Sequence, residues 1–175
     1  MKKIYLITFL TVCTFAAFAQ SEEKKDKIIE DSKEAKEEFL EGDWQMKKHF
    51  SEAYGYVIYP NVGKGGIGIG GAAGNGVAYE QGEMVGMAKL SQVSIGFQWG
   101  GQAYREVIFF ESKKEMDRFK ENKVELSAQV SAVAVTAGAS ADAKYVEGVM
   151  VFTMQKGGLM YEAAVGGQKF KFNPF

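Results

Sequence analysis

The sequence predicts a single α+β domain in which N-terminal amphipathic helices and one short internal helix pack on a strongly twisted, mostly antiparallel sheet that curls toward a barrel. Three observations lead there. Residues 21 to 50 are charged, glycine-poor and carry apolar side chains at helical spacing. After Tyr54 the chain switches to short alternating runs divided by glycine, asparagine and lysine turns. The 175 residues, less a predicted leader, suit one hydrophobic core.

The leader comes first. Lys2 and Lys3 precede an apolar run from Ile4 to Phe18, and Ala17-Phe18-Ala19 has the small-x-small form that signal peptidase accepts. Residues 1-19 are therefore read as a signal peptide, 20-52 as a charged amphipathic helical segment and 53-175 as a glycine-rich β domain. Such a chain is expected to be exported, periplasmic or envelope-associated after cleavage near Ala19. The sole cysteine, Cys13, falls inside the leader, so the remaining chain offers no disulfide and no thiolate ligand. Without Lys2 and Lys3 the 21 basic residues fall to 19 against 22 acidic ones. A chain this acidic has no field for a phosphate backbone, and nucleic acid is excluded as a partner.

Ile28, Ser32, Ala35 and Phe39 lie one above another on the first helix, with Ile29 and Leu40 widening a narrow stripe. Gly42-Asp43 breaks it, and Asp43 is placed to cap a shorter helix carrying Met46 and Phe50 one turn apart. Tyr54 to Tyr59 and Tyr104 to Phe110 are apolar on both faces, as central strands covered on two sides must be. The helices before residue 53 and a helix opened by the Ser112…Glu115 capping box, ahead of Met116 and Phe119, supply the cover. Val93, Ile95, Phe97 and Trp99 alternate with small or polar residues and predict a half-buried strand with its bulky row inside. Val124 to Ala137 reads as one long bent strand; Val149 to Met154 and Leu159 to Val165 form a hairpin, and Gln168 to Phe172 closes a set of roughly eight strands.

The segment from Ala53 to Tyr79 is the most unusual. Gly66, Gly68, Gly70 and Gly71 interleave with Ile67 and Ile69, so an extended chain there has a face without side chains, which a second backbone or a ligand can approach closely. Its Gly55-Tyr56-Val57-Ile58-Tyr59-Pro60 run, the Gly63-Lys64-Gly65-Gly66 turn, Gly68 to Gly71, Gly74-x-Gly76-Val77, the run Ser94 to Gln102 and Lys156-Gly157-Gly158-Leu159 together resemble the SYLF domain, from about Ala53 to Gln168. That resemblance implies lipid binding and, in some eukaryotic members, actin binding. The basic amphipathic N-terminal segment of eukaryotic members has no counterpart here: residues 21 to 48 hold ten acidic and seven basic side chains. The residues expected to meet lipid are Lys64 with the open amides around Gly65, Gly66, Gly68 and Gly70, and the Phe39, Leu40, Trp44 stripe, which can dip into a bilayer surface.

Other chemistries find less support. Gly66-x-Gly68-x-x-Gly71 fits the dinucleotide fingerprint in spacing but leads into another strand instead of a helix, and Gly63 to Gly66 lacks the Lys-Ser/Thr ending of a phosphate loop. His49 is the only histidine, and Ser94 follows Gln92 where a nucleophile elbow needs glycine. Carboxylates Glu80, Glu106, Glu125 and Glu162 could pair only by tertiary accident. The reading is a non-catalytic protein of lipid or membrane surfaces without cofactor or metal, and no motif names a protein partner. The alternative is a small outer-membrane barrel, favoured by the terminal Phe170-x-Phe172-Asn173-Pro174-Phe175 and opposed by Pro174 in its last strand and by the charged helical start.

Overall fold

In a computed structural model of the chain, which describes residues 2–67, 69–95, 102–127, 129–156 and 165–175, two helices precede the sheet: α1 (Lys2–Gly42) and α2 (Met46–Glu52). Four long strands follow, β1 (Gly55–Ile67), β2 (Ile69–Glu80), β3 (Glu83–Ile95) and β4 (Gln102–Phe110). Then come α3 (Lys113–Lys120), β5 (Ala132–Ala134), a 3-10 turn (Ala139–Asp142), β6 (Val149–Gln155) and β7 (Lys169–Pro174). Among the described residues the strands form one sheet in the order β5-β6-β4-β1-β2-β3-β7, antiparallel except for the β5–β6 pair. This is the expected α+β domain.

Period-two alternation along β1 and β4 sends side chains into two cores. Val57, Tyr59, Tyr104, Ile108 and Phe110 belong to an inner core, closed by Met116 and Phe119 of α3. Tyr56, Ile58, Val107 and Phe109 belong to an outer core, where Ala35 and Phe39 of α1 and Met46 of α2 cover them. The predicted stripe of α1 is thus the buried one: Ser32, Ala35 and Phe39 are fully enclosed. Aromatic geometry locks the outer layer, with Tyr56 stacked on Tyr79 at 4.8 Å and Phe50 edge-on to Tyr56 and Phe109 at 5.0 and 4.9 Å. Each such pair adds about 0.5–1.5 kcal/mol beyond its burial.

The sheet curls around the inner core. The Phe170 ring of β7 lies 6.1 Å from Tyr59 of β1 although β2 and β3 run between them, and Gln168 reaches Glu106 of β4. Among the described residues the curl does not close: β5 and β7 are the outermost strands of the sheet, where a membrane-spanning barrel needs every strand paired on both sides. Pro174 sits at the end of edge strand β7, a place that tolerates a missing N–H.

Two expectations are corrected. Val124 to Ala137 is not one strand: Ala132–Ala134 pairs with β6 and Glu125 makes a single bridge to Lys169 of β7, while Val124, Leu126 and Val130 turn inward to plug the inner core instead of extending the ladder. Val93 is 78% exposed while Gln92 is 6% exposed. Ala88 and Leu90 anchor the inner row of β3, so the next residue in step is Gln92, whose Nε2 donates to the Gly166 carbonyl at 2.9 Å. Phe97 and Trp99 of that strand, and Leu159 with the rest of 157–164, lie outside the described residues.

Asp43 does not cap α2, which begins after Gln45, but ties the α1–α2 corner to the 3-10 turn. Its carboxylate accepts the Ser140 N–H at 2.9 Å, the Ser140 hydroxyl at 2.7 Å and the Gln45 N–H at 3.0 Å. Burial pushes its pKa up, and these hydrogen bonds outweigh burial and hold it below the usual carboxylate value. Asp43→Ala is expected to cost about 2–3 kcal/mol in urea unfolding at neutral pH, because it strands a buried amide and hydroxyl.

Candidate functional site

The site begins at an irregularity in β1. Its register jumps between Ile58 and Asn61 against β2, and between Tyr59 and Val62 against β4, on either side of Pro60. This bulge presses carbonyls toward β2. A Cβ at Gly76 would stand 2.2 Å from the Ile58 oxygen, and one at Gly74 would stand 2.9 Å from the Asn61 oxygen. Those glycines serve the sheet itself. Past the bulge the situation reverses: Gly63 and Gly65 are exposed, and a Cβ on either would meet no atom within 4 Å.

Register places three cross-strand rows on this end of the outer face, the last of them at the margin of α1, where Asn61 meets Asp31. One holds Gly65, Gly71 and Val93; the next Gly63, Ala73, Ser91 and Lys169; the third Asn61, Asn75, Lys89 and Lys171. Apart from the half-buried Gly71, every member is exposed. Among the residues of these rows the surface is consequently flat and apolar at one side, where Val93 is the one large exposed apolar side chain, and basic at the other.

The basic side is a cleft of about 430 Å³ lined by Asn61, Asn75, Lys89, Ser91, Lys169 and Lys171 among others. Lys89 and Lys171 are direct cross-strand partners, an arrangement that costs stability because like charges face each other. Lys169 is 3.7 Å from Glu125, a solvent-exposed and hence weak pair. Lys156 donates to the Asn61 side-chain oxygen, and the Asn61 amide donates to Asp31 of α1 at 3.4 Å. Among the described residues no acidic side chain lines the cleft itself. Sequence reasoning missed these lysines because Lys89 and Lys171 are far apart in the chain; the alternation Lys169-Phe170-Lys171 was the one local signal, and it does not reveal which strand lies alongside.

The predicted lipid residues are not brought together. Gly65 lies on the exposed outer face, whereas Lys64, Gly66 and Gly70 alternate onto the inner one, where Lys64 pairs with buried Ala72 and is itself half-buried. Gly68 lies outside the described residues. Phe39 is a core residue with no exposed surface. Leu40 is half-buried and borders a separate groove of about 460 Å³ with Lys36, Tyr56, Tyr79 and Met84, while Trp44 is 72% exposed.

Groups weighed for catalysis sit apart. Glu80 pairs with Lys120. Glu106 is sealed in the inner core, held by Gln168 Nε2 at 3.0 Å, and burial pushes its pKa up to about 8. Glu125 is exposed, and Glu162 lies outside the described residues. His49 donates from Nε2 to the Ser140 carbonyl at 3.1 Å, with its ring 5.2 Å from Phe152. It serves packing at the same corner that Asp43 holds.

Residues 91–173, from the end of β3 into β7, match the family model Ysc84, described as "Las17-binding protein actin regulator", which is the SYLF family. The Beta cell expansion factor A of Aeromonas veronii is 30% identical over 123 residues, which cover 69% of this chain and 46% of that relative. The chain thus spans about half the length of the curated relative it matches.

Proposed function

Because the chain carries a SYLF (Ysc84) domain, a family associated with lipids and membranes, we propose that it is an exported, non-catalytic protein that binds a lipid or membrane surface through the uncovered end of its outer sheet face. The observation that supports this most is the contrast within one face. Where α1 and α2 lie, the sheet carries Tyr56, Val77, Val107 and Phe109 beneath them; where they stop, it carries Gly63, Gly65 and Ala73 in the open. A surface without protruding side chains admits a flat apolar neighbour at close range. Covering it contributes about 25 cal/mol per Å² of apolar area. Trp44, exposed beside the α1–α2 corner, is a second contact, with an indole suited to the boundary between water and lipid.

Co-sedimentation of the full chain with phosphatidylcholine vesicles, alone and mixed with phosphatidylglycerol, tests the reading. Val93→Glu and Gly65→Asp are expected to reduce the bound fraction several-fold while changing stability by no more than about 0.5 kcal/mol, since both positions are exposed. Residues 1–20 are common to all samples, so the differences report the sheet face. Equal retention of wild type and both variants removes this face from the reading; no binding to either vesicle removes the reading.

A further inference from the structure

We infer that the cleft of Lys89, Lys169 and Lys171 is the headgroup site of that membrane contact and takes the phosphate of an acidic phospholipid, an inference that rests on the lipid-surface reading above.

The charge is locally concentrated on a chain that is acidic as a whole, with formal net charge -1. Direct cross-strand pairing brings the Lys89 and Lys171 side chains within about 4.5–5.5 Å of each other at their Cβ atoms. Lys169 lies two residues from Lys171 on the same face of β7, opposite Ser91. A sheet that sought only stability would place a carboxylate opposite Lys89; a third positive charge nearby instead makes the repulsion worse. An anion of two or more accepting oxygens seated among the ammonium groups removes that cost.

The surrounding acids do not neutralise the site. Glu125 faces Lys169 alone, and Asp31 is engaged by the Asn61 amide, leaving Lys89 and Lys171 without an ion pair among the described residues. Asn75 and Ser91 add polar groups to the lining. The cleft also adjoins the apolar rows of Gly63, Ala73, Gly65 and Val93, so a headgroup bound here sets its hydrocarbon beside the bare sheet. Along α1 and α2 the lysines are outnumbered by carboxylates, ten acidic to seven basic side chains between residues 21 and 48, whereas the lining of this cleft carries lysines without a carboxylate among the described residues.

The test compares the full chain with Lys89→Gln/Lys171→Gln and with a charge control on α2, Lys47→Gln/Lys48→Gln, whose side chains are exposed. Wild type is expected to bind phosphatidylglycerol-containing vesicles about tenfold more tightly than phosphatidylcholine vesicles at low salt, and to lose that preference as salt is raised. The β3–β7 variant should lose the preference yet keep its binding to phosphatidylcholine; the α2 control and Lys89→Arg/Lys171→Arg should retain the preference. Thermal unfolding of the Gln variant, expected at or above the wild-type midpoint because a repulsion is gone, shows that any loss is not misfolding. Equal affinity for both vesicle types, or an α2 control that falls as far as the β3–β7 variant, overturns the headgroup site while leaving the lipid-surface reading standing. Full competition by millimolar inorganic phosphate assigns the cleft to a free anion and also overturns it. Failure to bind any vesicle overturns both.

Discussion

Glu106→Gln is expected to remove most of the pH dependence of stability between about pH 5 and 9, and to leave the variant several kcal/mol more stable than wild type at the alkaline end. Glu106 is fully buried, and burial raises its pKa from 4.5 to about 8. Its inner-face surroundings are neutral: Tyr59 of β1, Tyr104 of β4, Thr153 of β6 and Gln168 ahead of β7. Arg105 is adjacent in sequence but lies on the opposite face, paired with Glu38 of α1. Between the two pKa values the unfolded chain has released the proton that the folded chain still holds. The folded state then binds more protons, so the stability present below pH 4.5 declines as pH rises and is fully lost above about 8. Each pKa unit corresponds to about 1.4 kcal/mol, which makes this one of the larger electrostatic effects in the molecule.

Asp43 has the opposite sign. Its folded pKa is lowered, so its contribution is present above the unfolded value and lost as pH falls through the folded one. Wild type should therefore weaken toward both acid and alkali, and Glu106→Gln should correct only the alkaline side. Urea unfolding at pH 5, 7 and 9 reads this directly. Tyr59 and Tyr104, whose pKa values burial also raises, keep their protons throughout that range and do not confuse it. Parallel stability profiles for the two proteins would mean that Glu106 is ionised inside the folded chain.

Gly76→Ala is expected to be the most disruptive single-methyl change in the domain, costing about 3 kcal/mol or more and preventing accumulation of folded protein at moderate temperature. The added carbon would stand 2.2 Å from the Ile58 oxygen and 2.7 Å from Cδ1 of Tyr59, and neither can withdraw. The carbonyl is fixed by the β1 bulge, and Tyr59 is fully buried in the inner core. Gly63→Ala and Gly65→Ala, in the same run of sequence, should change stability by no more than about 0.5 kcal/mol, because open space surrounds both positions. Circular dichroism melts of the three variants give the comparison. Equal losses at all three would show that β1 is not bulged as described.

The two classes of glycine look alike in the sequence, and this limit was general. Composition and period were enough for the helical stripe of α1, the two-sided burial of β1 and β4, and the Ser112 start of α3, because each depends on contacts only a few residues apart. Ser112 caps α3 as expected, but its hydroxyl accepts the Lys114 N–H at 3.2 Å and donates to the Glu115 carboxylate in place of the reciprocal backbone bonds of a capping box. Val93 was misjudged because alternation reveals that two faces differ, not which of them the rest of the protein covers. Val124 to Val130 was misjudged because an apolar alternating segment can satisfy itself by plugging a core as well as by pairing.

By itself, the amino-acid sequence determined the fold class, the family resemblance, the central strands and the helix that covers them, all written in local spacing. Only the tertiary structure decided which glycines are pressed by a neighbouring carbonyl and which stand open, and that Lys89 faces Lys171. Strand pairing joins residues scores of positions apart, and the energy that selects one register resides in the packed side chains of both partners rather than in either segment alone.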